Sequence, residues 1–261
     1  MTTSGQLQKI RGIKKSKILL VVFLEIMLSG KAICQIVTDR PDQTESSYTV
    51  GRGNLQIESG ILYATEGDYP MLSRSLLAPT TLFRYGILDG LELRILSQFE
   101  FLKTDYSRYQ GLSDMEAGAK ILLVNNESGN TRVALVSHLL IPTGTGELSD
   151  RQFGTINKIA VSREINKNMG IGYNLGFSWF DQDNREVTYS VSLGIVINEK
   201  AAVYIEPYGE IPFNSDFALN FNTGFTYLVS DNLQLDTSFG TGTNHRMNFI
   251  SAGISWLIKK E

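Results

Sequence analysis

The chain has 261 residues, 42% hydrophobic and 20% charged, which excludes wholesale disorder, and its 24 glycines, 10% aromatics and only 6 prolines suit a fold of many strands. Cys34 is its single cysteine and it has two histidines, so a disulfide framework, a multi-thiolate metal site and a His-rich centre are all excluded within one chain. The net charge of -3 conceals an asymmetry: residues 1–34 carry six basic residues and one acid, leaving the remainder at -8, with no basic footprint for nucleic acid.

At the N-terminus, basic Lys14, Lys15 and Lys17 precede an apolar run from Ile18 to Leu28, and small residues at Ala32 and Cys34 follow. That order predicts a secretory signal over 1–34, cleaved after Cys34; acylation of Cys34 as a lipoprotein and an uncleaved anchor are the alternatives. Residues 35–52, polar and carrying Pro41, form a lead-in segment. Asp39, Arg40, Asp42 and Glu45 of that segment either lie at the periplasmic rim or fold up into a lumen as a partial plug, and the sequence leaves both open.

From residue 53 to 261 the pattern alternates with period two. Val187, Tyr189, Val191, Leu193, Ile195 and Ile197 face one way, against Thr188, Ser190, Ser192 and Gly194. The alternation predicts strands over 54–64, 76–88, 91–103, 112–125, 131–143, 155–166, 169–180, 187–198, 201–211, 216–230, 233–241 and 246–259. No apolar run past residue 30 reaches the ~20 residues of a membrane helix, whereas these strands match the roughly 9–11 residues that a tilted strand needs to cross a bilayer. Tight turns such as Leu88-Asp89-Gly90, Glu127-Ser128-Gly129 and Asp231-Asn232 alternate with mostly longer polar links. The fold class is therefore all-β, an antiparallel up-and-down transmembrane β-barrel of about 12 strands.

A soluble sandwich or lipocalin-like barrel also alternates, but it turns its apolar face inward. Here the opposite face carries Glu58, Arg84, Glu92, Arg94, Glu100, Asp114, Glu116, Lys120, Lys158, Glu206, Glu210 and Asp236, which no dry core tolerates unpaired. Turned onto a water-containing lumen these twelve line the passage, and their acidic excess favours cations. Arg84 and Arg94 are expected opposite one another across the Leu88-Asp89-Gly90 hairpin, with Glu92 on the same face. Aromatics near strand ends (Tyr63, Tyr85, Phe99, Phe101, Trp179, Tyr227, Phe249 and Trp256) suit interface girdles.

Catalytic readings are weak. His138 and His245 have no evident nucleophile, so the chain is not read as an enzyme and no cofactor is called. Pro142-Thr143-Gly144-Thr145-Gly146-Glu147 lacks the Gly-Lys-Ser/Thr of a phosphate loop and reads as a strand exit. Asp181-Gln182-Asp183-Asn184 offers oxygens for calcium but no bend glycine and no trailing acid, so no metal is assigned.

The stretch Ile36-Val37-Thr38-Asp39-Arg40-Pro41-Asp42-Gln43-Thr44-Glu45-Ser46-Ser47, with Phe83-Arg84-Tyr85-Gly86, Leu140-Ile141-Pro142-Thr143-Gly144 and Asn248 to Trp256, resembles the Gram-negative outer-membrane barrels grouped under the meta-pathway of phenol degradation. Members are usually labelled transporters. The resemblance implies a protein of the cell outer membrane, a passive channel or transporter for small solutes, with a closed barrel in a structural or surface-interaction role as the alternative. Its expected partners are outer-membrane lipid, a small-molecule solute and the barrel assembly machinery, in a monomer. The end, Leu257-Ile258-Lys259-Lys260-Glu261, departs from the terminal aromatic of many such barrels.

Overall fold

Alternating sequence becomes thirteen strand segments: β1 (Leu55–Glu66), β2 (Ser73–Leu88), β3 (Leu91–Lys103), β4 (Arg108–Leu112), β5 (Met115–Asn126), β6 (Thr131–Ile141), β7 (Gly154–Asn166), β8 (Met169–Trp179), β9 (Arg185–Val196), β10 (Ala201–Pro212), β11 (Ala218–Ser230), β12 (Leu233–Gly242) and β13 (Met247–Ile258). The computed structural model describes residues 36–180 and 184–260. The expected export signal at 1–34, and residues 181–183 of the candidate calcium loop, lie outside the described residues.

Each strand pairs antiparallel with its neighbours, and β1 closes the sheet by pairing with both β2 and β13. Closure joins the first and last staves, so the ladders run round the wall, as a bilayer requires; the short β4, paired on one side with β3, meets loop residue Thr145 on the other. The thirteen segments make twelve staves, because β4 and β5 both pair with β3, β4 against Phe99–Lys103 and β5 against Leu91–Leu96. The stave expected over 112–125 thus begins earlier, at Arg108, and breaks at Ser113 and Asp114. A reason lies in the side chain of Asp114, whose oxygens accept the backbone N–H groups of Gly144 (2.7 Å) and Asp150 (2.9 Å) and tie the break to the loop beyond β6. That loop holds a single 3₁₀ turn at Gly146–Leu148.

One face of the wall is apolar and exposed: Phe83, Tyr85, Leu93, Ile95, Tyr173, Leu175, Ile205, Phe239, Ile254 and Trp256 all point out. Water would penalise such a surface and hydrocarbon rewards it. Among the expected girdle aromatics, Tyr63, Tyr85, Phe101, Trp179, Tyr227 and Trp256 are outward and exposed. Phe249 is not: it is buried with Ser251 and Ser255, and its ring fills the space beside cross-strand Gly240. The connections 89–90, 167–168 and 231–232 crowd one rim, and 67–72 and 142–153 the other, called here the short-turn and long-loop rims.

Candidate functional site: a plugged lumen

Toward the short-turn rim the inner face meets residues 36–50 of its own chain. Both ends of this segment lie near the short-turn rim. Gln56 and Arg84 donate to the Val37 carbonyl at one end (2.9 and 3.3 Å). Glu92 accepts the Val50 N–H at the other (2.7 Å). Between them the chain rises to a tip at Pro41 to Thr44 and doubles back, its two limbs joined where Asp39 accepts the Ser46 N–H (2.8 Å).

Three sets of wall residues hold this loop. At the tip, Glu206 accepts the Gln43 and Thr44 backbone N–H groups (2.9 and 2.7 Å) and the Thr44 hydroxyl (2.6 Å), while Asn222 donates to the same carboxylate. On the first limb, Glu58 accepts the N–H groups of Asp39 and Arg40 (both 3.0 Å). Such carboxylates satisfy loop amides that have no strand partner. On the second limb, Asn174 accepts from Glu45 N–H (2.6 Å), and the Ser162 hydroxyl accepts from Ser47 N–H (3.1 Å).

Charge pairing adds to these bonds. Asp39 lies 2.8 Å from Lys120 Nζ, 2.6 Å from Arg94 and 3.3 Å from Arg84. Burial by itself would raise the Asp39 pKa, but Arg84, Lys120 and Arg94 together outweigh it and hold the carboxyl well below the usual carboxylate range. Glu45 meets Arg94 at 2.7 Å and Lys158 at 3.8 Å. Against burial, Arg94 chiefly draws its pKa down to about 2. Asp42 has the opposite setting: burial and the neighbouring Glu206 push its carboxyl well above the usual range, with Ser192 as a hydrogen-bond partner.

Arg40 reaches Asp236 at 3.1 Å through a notch made by two glycines paired across β1 and β13, Gly60 and Gly253. A Cβ at Gly253 would fall 2.4 Å from Arg40 Nε. At the short-turn end Tyr48 donates to Glu164 (3.0 Å) under the guanidinium of Arg132, 4.3 Å from the ring centre.

Of the twelve inner-face residues read from the sequence, the structure gathers Glu58, Arg84, Glu92, Arg94, Lys120, Glu206 and Asp236, all 6% exposed or less, against residues 37–50. Arg84 and Arg94 are direct cross-strand partners, and Glu92 bridges them at 2.9 Å from each. Glu116 pairs with His138 Nδ1 (2.6 Å), whose Nε2 accepts from Arg94 (2.9 Å), so this histidine is committed to the charge network. Glu100 accepts from Ser75 and Ser113 nearer the long-loop rim. Asp114 is the exception, since it serves the loop described above instead of the lumen network. Lys158 and Glu210 line a cavity of about 170 Å³ that lies above the tip, with Gln43 among its lining residues. His245 sits in the link between β12 and β13, next to Asn244. Glu186, Thr188 and Tyr208 of the cavity wall, and the glycine notch, were not singled out from the sequence. The alternation that selects Lys158 also selects Thr188 and Tyr208, but nothing local marks them as cavity residues.

A family model described as "Putative MetA-pathway of phenol degradation" matches residues 38–258. Among solved structures, the fold is similar to an outer-membrane channel from Pseudomonas putida F1, with a TM-score of 0.67 at 12% identity, covering 81% of this chain and 98% of that one. It is also similar to the KdgM porin in complex with disordered oligogalacturonate (TM-score 0.54, 8% identity, 77% of this chain and 98% of that one). The NanC porin gives a TM-score of 0.53 at 10% identity, with 77% and 98% covered. Among curated proteins, none matches the sequence.

Proposed function

Since the chain belongs to the family described as "Putative MetA-pathway of phenol degradation", we propose that it is an outer-membrane barrel for passive passage of small solutes, closed at rest by its own residues 36–50. The neighbours that support this reading are an outer-membrane channel and porins. The single observation that carries it is how the wall's buried charges are used: Glu58 and Glu206 hold the loop's backbone, while Arg84, Arg94 and Lys120 hold Asp39. A loop held by side-chain carboxylates and ion pairs, with no strand pairing of its own, can leave without breaking the sheet, which suits a passage. Residues 1–34 act as the export signal that delivers the barrel, and residues 36–50 of the lead-in segment become the plug once the signal is gone.

Passage requires the loop to withdraw toward the short-turn rim, because both of its ends already lie there. The lumen so exposed is lined by Glu58, Glu92, Glu116, Glu206, Glu210 and Asp236 against Arg84, Arg94, Lys120 and Lys158. Acidic excess lowers the barrier for cations. In a planar bilayer the folded protein shows brief, cation-preferring openings, and Glu206→Gln with Glu210→Gln moves the reversal potential toward zero under a salt gradient. A barrel shown to be folded by heat-modifiable gel mobility that passes no current at any voltage overturns the reading, and the occluded lumen then favours a closed barrel with a structural or surface-interaction role.

A further inference from the structure

The cavity above the plug tip has a volume of about 170 Å³, close to the ~150 Å³ of an engineered protein cavity that holds benzene. It therefore admits a body of about one ring. Its wall carries charges of both signs, and they lie at the same level of the barrel. The register runs from Lys158 on β7 to Gly176, from Gly176 to Thr188, and from Thr188 to Glu210 on β10. Three strand spacings of roughly 4.8 Å, about 14 Å in all, separate the two backbones.

What lies between is small and polar. Gly176 offers no side chain, and a Cβ there would meet Thr188 Oγ1 at 2.4 Å and the Lys158 stem at 3.0 Å. The Lys158 stem therefore lies against the glycine, and its Nζ ends 3.8 Å from Glu45 of the plug. One row nearer the long-loop rim, Ile156 and Glu186 are each paired with Ser178, so Glu186 adds a second carboxylate on the Glu210 side. One row nearer the plug, Ser190 pairs with both Asn174 and Tyr208, which puts hydroxyl and amide groups beneath an aromatic flank.

Among the described residues the cavity's carboxylates have no basic partner, and its lysine has only a long, shared one. The acid that Lys158 meets is Glu45, at 3.8 Å, and that carboxylate is already bound at 2.7 Å by Arg94. Among the described residues, neither Glu186 nor Glu210 has a basic group within 4.0 Å.

We propose that this cavity is a docking site for a small zwitterionic solute, its carboxylate at Lys158, its ammonium at Glu210 and Glu186, and a body of up to one ring over Gly176 and Thr188. The inference rests on the reading of the lumen as a solute passage and names the class of solute that the passage takes. A solute with only a carboxylate faces two glutamates, and one with only an ammonium makes no bond to Lys158 and meets its like charge, so both are discriminated against. Docking places the solute against Gln43 of the plug, and its carboxylate competes with Glu45 for Lys158.

The test is calorimetric titration of the detergent-solubilised, folded full-length protein with 4-(aminomethyl)benzoate, benzoate and benzylamine. The zwitterion binds at least about tenfold more tightly than either singly charged probe. Lys158→Met abolishes its advantage over benzylamine, and Glu186→Gln with Glu210→Gln abolishes its advantage over benzoate, each variant being checked for folding by heat-modifiable mobility. Equal affinity for the three probes, or no binding of the zwitterion, overturns the inference. Liposome swelling separates the two claims. Swelling in small neutral sugars without zwitterion preference leaves the passage standing and removes the docking site, whereas absence of swelling with folded barrels removes the passage on which it rests.

Discussion

Replacing Asp39 by Asn removes one negative charge with almost no change of volume, at the point where the plug meets the densest charge cluster of the wall. Asp39, Glu45, Glu58 and Glu92 there balance Arg84, Arg94, Lys120 and Lys158. The Asp39 side chain is only 4% exposed, and it meets Lys120 at 2.8 Å, Arg94 at 2.6 Å and Arg84 at 3.3 Å. Removing one partner from a buried ion pair costs about 3–5 kcal/mol because the other charge is left uncompensated. The penalty falls on the docked state alone, since a withdrawn loop leaves Asp39 in water. At ~1.4 kcal/mol per factor of ten, the equilibrium for withdrawal rises roughly 10²- to 10³-fold. The assay is the rate at which a maleimide labels the Ser47→Cys protein, position 47 being fully buried under the docked loop, in a Cys34→Ser background. Asp39→Asn should raise that rate by the same factor and lengthen open times in a bilayer. Unchanged labelling and unchanged open times would refute the role of this cluster as the latch.

Gly253→Ala should act on the same latch from the other side. The new Cβ would sit 2.4 Å from Arg40 Nε, so the guanidinium is pushed from Asp236 while the strand itself is intact, and labelling at position 47 in the Ser47→Cys background should rise with little loss of barrel stability; an unaltered rate contradicts the notch. Docking should also depend on pH from two directions. Glu45 titrates near 2 when docked, below its ordinary 4.5, so its contribution is complete above about 4.5 and lost as pH falls through 2. Asp42 is raised instead, so its contribution is present at pH below the ordinary carboxylate range and lost as pH rises through its elevated docked value. With labelling of the Ser47→Cys protein followed against pH, Asp42→Asn should remove the loss on the alkaline side and leave the acidic one; a profile unaffected by Asp42→Asn contradicts this setting.

Much of the wall was legible because a strand's period is local. Val187 to Ile197 alternates in the sequence and forms β9 in the structure, and Arg84 opposite Arg94 followed from counting outward from Asp89-Gly90. The break at Ser113 and Asp114 was not legible, since its cause is a bond to Gly144, some thirty residues on. Phe249 was misplaced by chemical type, although its parity with Ser251 and Ser255 already pointed inward. The plug was the largest gap. Thr38 to Ser47 carries charges that suit either the rim or the lumen, and the choice is made by Glu58, Lys120, Glu206 and Asp236 on four separate strands. Only closure of the barrel brings these four together, and no spacing along the chain records it.

In the function proposed above, residues 36–50 close the passage and their withdrawal opens it. The Ser47 N–H donates to the Ser162 hydroxyl at 3.1 Å, which sets the two residues side by side, so cysteines at these positions can be joined directly or through a short, reducible bis-thiol cross-linker. Conductance of the Ser47→Cys, Ser162→Cys protein, with Cys34→Ser, can then be recorded in one bilayer before and after a reductant is added. Oxidised channels should stay shut and reduced ones should open in cation-preferring bursts, whereas equal current in both states would contradict the plug.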